Sequence, residues 1–125
     1  MSTTQATIFD YQSSATESDM LKAITDAVDG VGGVWYRVRD SRAQAMDGFP
    51  DVLCLVPDAP DSRDIALLGF ELKTKRDRKR PAQADFIAYL NATVRCYGAF
   101  VRAGEPKPDE ISIDDALAII WGERP

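Results

Sequence analysis

Three side chains of this 125-residue chain have the types and spacing to do chemistry together. Glu71 and Lys73 stand at i and i+2 of the apolar run "IALLGFELKT" (65–74), so in an extended strand both project from one face. Asp51 follows Pro50 at the start of a second apolar run, "DVLCLVP" (51–57). If the two runs are neighbouring strands joined by the turn at 58–64, Asp51 falls near Glu71. Two carboxylates about 4 Å apart repel by ~4 kcal/mol at an effective dielectric near 20. Such a pair persists where a cation lies between them or where one of them holds a proton. Carboxylate oxygens and water are the donors that Mg²⁺ selects. A lysine beside that ion can orient or deprotonate a water and stabilise charge building on a phosphate.

The rest of the composition narrows the chemistry. There is no histidine, which excludes Ser-His-Asp and Cys-His nucleophile systems, histidine general bases and histidine-containing zinc sites. Cys54 and Cys96 are too few for a disulfide framework and read as reduced, packed thiols. Net charge is −5, yet residues 73–81 carry Lys73, Lys75, Arg76, Arg78, Lys79 and Arg80 against Asp77, or 6 − 1 = +5, leaving −10 elsewhere. A polyanion would be held at that one surface and repelled by the remainder. On charge alone, a solvated basic loop is an equal alternative. No apolar run approaches the roughly 18 residues needed to span a bilayer, and "MSTTQATIFDYQSS" lacks the basic and apolar regions of a signal peptide. The expectation is a cytoplasmic protein with no membrane partner.

The elements that must position these residues follow from periodicity. Residues 1–13 read as an arm whose Ile8, Phe9 and Tyr11 can dock on the body or on a partner, and 14–125 as one domain. "TESDMLKAITDAVDG" reads as a helix, with Thr16 as N-cap, Asp19 at N3, an inward stripe of Met20, Leu21, Ile24 and Val28, and Gly30 at its end. "GVWYRVR" (33–39) is strand-like, "DSRAQAMDGFP" a polar loop, and 51–57 a strand covered on both faces. After the strand at 65–74, Pro81 opens a helix over 82–97 with Phe86, Ile87, Leu90 and Val94 at helical spacing. "AFVRAG" (99–104) is a short strand and "GEPKPDE" a connector; "SIDDALAIIWG" is a helix capped by Ser112, with Asp114 and Asp115 in its first turn. Trp35, Tyr36, Phe86 and Trp121 read as core or interface aromatics. The order predicts an α/β fold, a mixed sheet of about four strands flanked by helices.

Together "GFPDV", "GFELKTK" and "PAQADFI" resemble the PD-(D/E)xK nuclease signature, and more narrowly the VRR-NUC (virus-type replication–repair nuclease) family, with its G-x-PD motif, E-x-K on the next strand and Gln near the start of the following helix. The likeness spans residues 17–104. It implies a PD-(D/E)xK nuclease-like core and a Mg²⁺- or Mn²⁺-dependent deoxyribonuclease without a nucleotide cofactor. Residue by residue, it implies metal binding by Asp51, Glu71 and the main-chain carbonyl of Leu72, with Lys73 as catalytic lysine and Gln83 as an accessory residue. Glu17 resembles the acid that completes such sites from the first helix, with Asp19 competing for the role. The separation of Asp51 from Glu71, 71 − 51 = 20 residues, exceeds a tight hairpin, and the loop "PDAPDSRD" absorbs it.

On this resemblance the basic run becomes a grip on the DNA backbone by Lys75, Arg76, Arg78, Lys79 and Arg80, assisted by a helix N-terminus. With no base-reading module in the sequence, DNA shape, branched or duplex, is the expected target. Small stand-alone members, encoded by phages or bacteria, resemble homodimeric Holliday-junction resolvases, which places the protein in a bacterial or phage-infected cytoplasm. The alternatives are a less selective nickase or flap nuclease, and a non-catalytic module that binds DNA or protein.

Overall fold

The computed structural model describes residues 15–38, 48–74 and 77–124. The arm expected over 1–13, and the basic residues Lys75 and Arg76, lie outside the described residues.

Helix α1 (Glu17–Gly30) starts where its capping signal puts it. The Thr16 hydroxyl accepts from the Asp19 N–H at 3.1 Å, and the Asp19 carboxylate accepts from the Thr16 N–H at 2.9 Å. Three strands then form an antiparallel meander: β1 (Val34–Arg37), β2 (Val52–Pro57) and β3 (Ile65–Lys73). Helix α2 (Pro81–Asn91) carries the chain back, so that β4 (Cys96–Arg102) runs parallel to β3. A short β5 (Glu110–Ile111) pairs parallel with β4 and leads into α3 (Ile113–Ile120), capped by Ser112. The sheet order is β1-β2-β3-β4-β5, a mixed α/β arrangement with one strand more than the sequence suggested. Two residues are too few to show alternation, which is why β5 reads as connector.

The second helix is shorter than its apolar spacing implied. It ends at Asn91 rather than 97, Val94 is exposed, and the chain turns away with Arg95 in the left-handed region (φ 57°). Asn91 supplies the reason: its side chain accepts from the Gly98 N–H at 2.8 Å and donates to the Gly98 carbonyl at 3.0 Å. That clamp ties the helix end to β4, and pairing with β3 draws Cys96 to Gly98 into the strand.

Period-two alternation splits the central strands between two environments. Val52, Cys54 and Val56 of β2, Leu68, Phe70 and Leu72 of β3, and Val101 of β4 are buried in one apolar cluster with Met20, Ile24 and Val28 of α1 and Ile113 and Ile120 of α3. Burial there pushes the Cys54 thiol up to about 12, the state of an inert core cysteine. On the opposite face, Gly69 and Gly98 admit α2. A Cβ built on Gly69 would lie 2.7 Å from a Leu90 methyl, and one built on Gly98 would lie 3.3 Å from the Ile87 Cα, so side chains at these two positions would crowd the helix. Further along the same face come Glu71 and Lys73, register partners of Phe100 and Arg102.

Three of the four aromatics read as core or interface are exposed: Trp35, Tyr36 and Trp121 are 43%, 67% and 58% accessible. Phe86 does pack, edge-on against Phe49 with ring centroids 5.0 Å apart. No helix among the described residues is long and apolar enough to cross a membrane.

Candidate active site

The loop carrying Asp51 is docked on the first turn of α2. Gly48 has φ +82°, and a Cβ there would lie 2.4 Å from the carbonyl carbon and oxygen of Ala82, so both conformation and space call for glycine. Pro50 is fully buried. The Asp51 carbonyl accepts from the Val38 N–H at 2.9 Å, and its carboxylate accepts from the Leu72 N–H at 2.7 Å. Since Val52 is opposite Phe70, continuing the register puts Asp51 opposite Glu71. The long separation in sequence is absorbed by the turn at 58–64, closed by the Asp58 N–H bonding the Asp64 carbonyl at 2.8 Å.

Glu71 is only 5% exposed, and its Oε2 is fully buried without a hydrogen-bond partner. Desolvation, then the charge of Asp51 and a hydrogen bond shared with it, push the Glu71 carboxyl up to about 9, against the opposing influence of Lys73 and Arg80. At neutral pH the pair therefore holds a proton in place of a second negative charge. Glu17, half exposed, also has its carboxyl raised, first by partial burial and then by Asp51; the Arg37 guanidinium, 3.9 Å away, opposes this. Asp19, its rival in the sequence, is engaged in the helix cap.

Among the described residues, no group of three or more His, Cys, Asp or Glu side chains is placed to hold a metal ion. The donor set is instead two carboxylates, Asp51 and Glu71, with the main chain at Leu72 between Glu71 and Lys73. These all-oxygen donors and the orphaned buried Oε2 of Glu71 fit a hard divalent cation.

Lys73 is 6% exposed. Its ammonium donates to the Arg78 carbonyl and to Gln83 Oε1, each at 2.9 Å, and lies 6.0 Å from the centre of the Phe100 ring. Gln83, at the third position of α2, uses the same Oε1 to accept from the Arg80 N–H at 2.9 Å. It thus both caps the helix and holds the lysine. The structure brings together Asp51, Glu71, Lys73 and Gln83, with Glu17 at the edge.

Of the described basic residues, Arg78 and Arg80 are exposed. Lys79 faces inward: it is paired with Asp109 and, at 3.3 Å, with Glu110, and sits 5.4 Å over the Phe100 ring. Sequence reasoning missed Arg102 and Glu110, a buried bidentate pair bonded at 2.9 and 2.6 Å. The one available signal was an arginine inside the apolar stretch "AFVRAG".

No family model and no curated protein matches the sequence. A solved structure of a VRR_NUC domain is similar in fold, with a TM-score of 0.55 and 16% identity, over 86% of this chain and 97% of that one. The chain has the α/β fold of a VRR_NUC domain.

Proposed function

We propose that this protein is a divalent-metal-dependent DNA endonuclease of the VRR-NUC type, hydrolysing a phosphodiester by in-line attack of water. The observation that carries the reading is the buried, unpartnered Glu71 oxygen beside Asp51, with Lys73 two residues on, in a fold shared with a VRR_NUC domain. Asp51, Glu71 and the Leu72 carbonyl would hold the metal, with Glu17 as the acid that would complete the site from α1. A bound Mg²⁺ or Mn²⁺ supplies Lewis acidity and lowers the pKa of water.

The chain's own groups do the rest. Asp51 is oriented by the Leu72 N–H. Lys73, with two of its three donors held by Arg78 and Gln83, has the third for a phosphate oxygen on which charge develops. Arg78 and Arg80 meet the DNA backbone near the N-terminus of α2, while Lys79 braces them; Lys75 and Arg76 add their charge to the same basic run. A 125-residue domain offers little surface for a four-way junction. We therefore assign the protein a homodimer whose two-fold axis supplies two sites, acting on branched DNA.

Cleavage of labelled four-way junction, flap, nicked, single-stranded and linear duplex DNA with Mg²⁺, Mn²⁺ or EDTA tests this, alongside Asp51→Asn. Paired, symmetric, metal-dependent cuts in the junction, lost in the variant, are expected. Metal-dependent cutting without junction preference would leave a nickase or flap nuclease. Tight binding with no cutting under any metal would make the protein a binding module.

A further inference from the structure

Lys73 has a second set of neighbours, on the side of β3 away from Asp51. Its register partner Arg102 is 3% exposed and binds in two directions. Nε and Nη2 donate to the Glu110 carboxylate, while Nη1 donates to the carbonyls of Thr74 at 2.7 Å and Asp77 at 2.8 Å. Glu110 is saturated: it also accepts from the Lys107 N–H at 2.9 Å and pairs with Lys79. The Asp77 carboxylate accepts from the Thr74 N–H and hydroxyl, both at 2.8 Å, and the Asp77 N–H returns to the Thr74 carbonyl at 3.1 Å. Arg102 therefore grips Thr74 and Asp77, which are also bonded to each other. The next residue, Arg78, supplies the carbonyl that holds the Lys73 ammonium.

A buried ion pair is a weak source of net stability, because desolvating two charges offsets their attraction. What this pair does that apolar residues of equal size could not do is bind two backbone carbonyls at fixed positions. We propose that Arg102 and Glu110 are positioning residues, which lock Thr74 and the residues from Asp77 to Arg80 and thereby set the Lys73 ammonium against the reacting phosphate. The kinetic part of the proposal rests on the nuclease reading above. Exposed Arg78 and Arg80 ride on the same segment, so the pair aligns the backbone grip with the carboxylates.

The test uses the double variant Arg102→Met/Glu110→Leu, an apolar pair of the kind that buried ion pairs tolerate, with Glu110→Gln beside it. Two readouts are taken. One is single-turnover and steady-state cleavage as a function of DNA and Mg²⁺ concentration. The other is the Nζ signal of Lys73 in lysine-labelled protein, assigned by its loss in Lys73→Ala. For the double variant, melting within about 5 °C of the parent, kcat lowered about 100-fold, an unchanged Mg²⁺ requirement and a Lys73 signal averaged toward that of exposed lysines are expected. Glu110→Gln should move the same way, by about 10-fold, and decides the matter if the double variant does not fold. Parental kcat with an unmoved Lys73 signal in a folded variant overturns the proposal. If the parent cuts no DNA, the nuclease reading fails; the Lys73 signal then decides alone, averaging supporting the positioning role and an unmoved signal overturning it.

Discussion

Two glutamates are buried in the same sheet, and the protein treats them in opposite ways. Glu110 receives Arg102, Lys79 and the Lys107 N–H, and its carboxyl is pulled down to about 2, chiefly by the hydrogen bond from Arg102. Glu71 is left with an orphaned oxygen against another carboxylate and is pushed up to about 9. The first environment is complete. The second is stable only while a proton or a cation makes up the missing positive charge. Unequal treatment of one residue type within one sheet separates a satisfied carboxylate from a candidate functional one more sharply than burial does, since both are buried.

Substitution is the strongest way to sharpen this contrast. Glu71→Gln is expected to lower cleavage by at least about 10³-fold while leaving the fold intact, measured as kcat beside circular dichroism; near-parental rates would remove Glu71 from the site. Glu110→Ala leaves the Arg102 guanidinium buried without its counter-charge. It should cost about 3–5 kcal/mol in chemical denaturation, and a loss below about 1 kcal/mol would make the pair dispensable to the fold.

The pH dependences of stability should run in opposite directions. With its folded value near 9 against an ordinary 4.5, Glu71 keeps a proton that the unfolded chain releases. In chelator its contribution is full below about pH 4.5 and is lost as pH rises toward 9. Glu71→Gln should therefore exceed the parent in stability at pH 8.5, by about 2 kcal/mol, and Mg²⁺ should close the gap. Glu110, lowered from 4.5 to about 2, contributes above pH 4.5 and loses that contribution as pH falls toward 2. Denaturation midpoints from pH 2 to 9 check both signs, and a flat difference between parent and Glu71→Gln would break the contrast. The smallest effect is at the surface: Arg78→Ser/Arg80→Ser should weaken DNA binding and reduce the slope of log affinity against log salt by about 2, roughly 0.9 for each phosphate no longer neutralised. An unchanged slope would put the DNA surface elsewhere.

The degree to which the site was legible follows from the range of the interactions that build it. The start of α1 could be read because Thr16 and Asp19 bond each other within one turn. Glu71 and Lys73 could be placed on one face because side chains alternate along any strand. Gln83 could be placed near the start of α2 because Pro81 marks that start. The end of α2 could not be read in the same way, since Asn91 leaves the helical pattern to bond Gly98 on another strand. Nor could the pairing of Lys79 be read from the basic run: its partner Asp109 is 30 residues away and meets it only through β4 and β5.

Most of what was legible in the chain was therefore local and geometric: helix caps, strand alternation, and the spacing that aligns a carboxylate and an amine; the approach of Asp51 to Glu71 followed from setting two such strands side by side. Folding in three dimensions set the contrasting charge states of Glu71 and Glu110, and decided that Lys79 is paired within the fold while Arg78 and Arg80 are exposed. Those properties depend on desolvation and on neighbours brought in from distant segments. Glu71 and Glu110 are the same residue type; only their surroundings in the folded sheet make one an acid holding its proton and the other a satisfied anion.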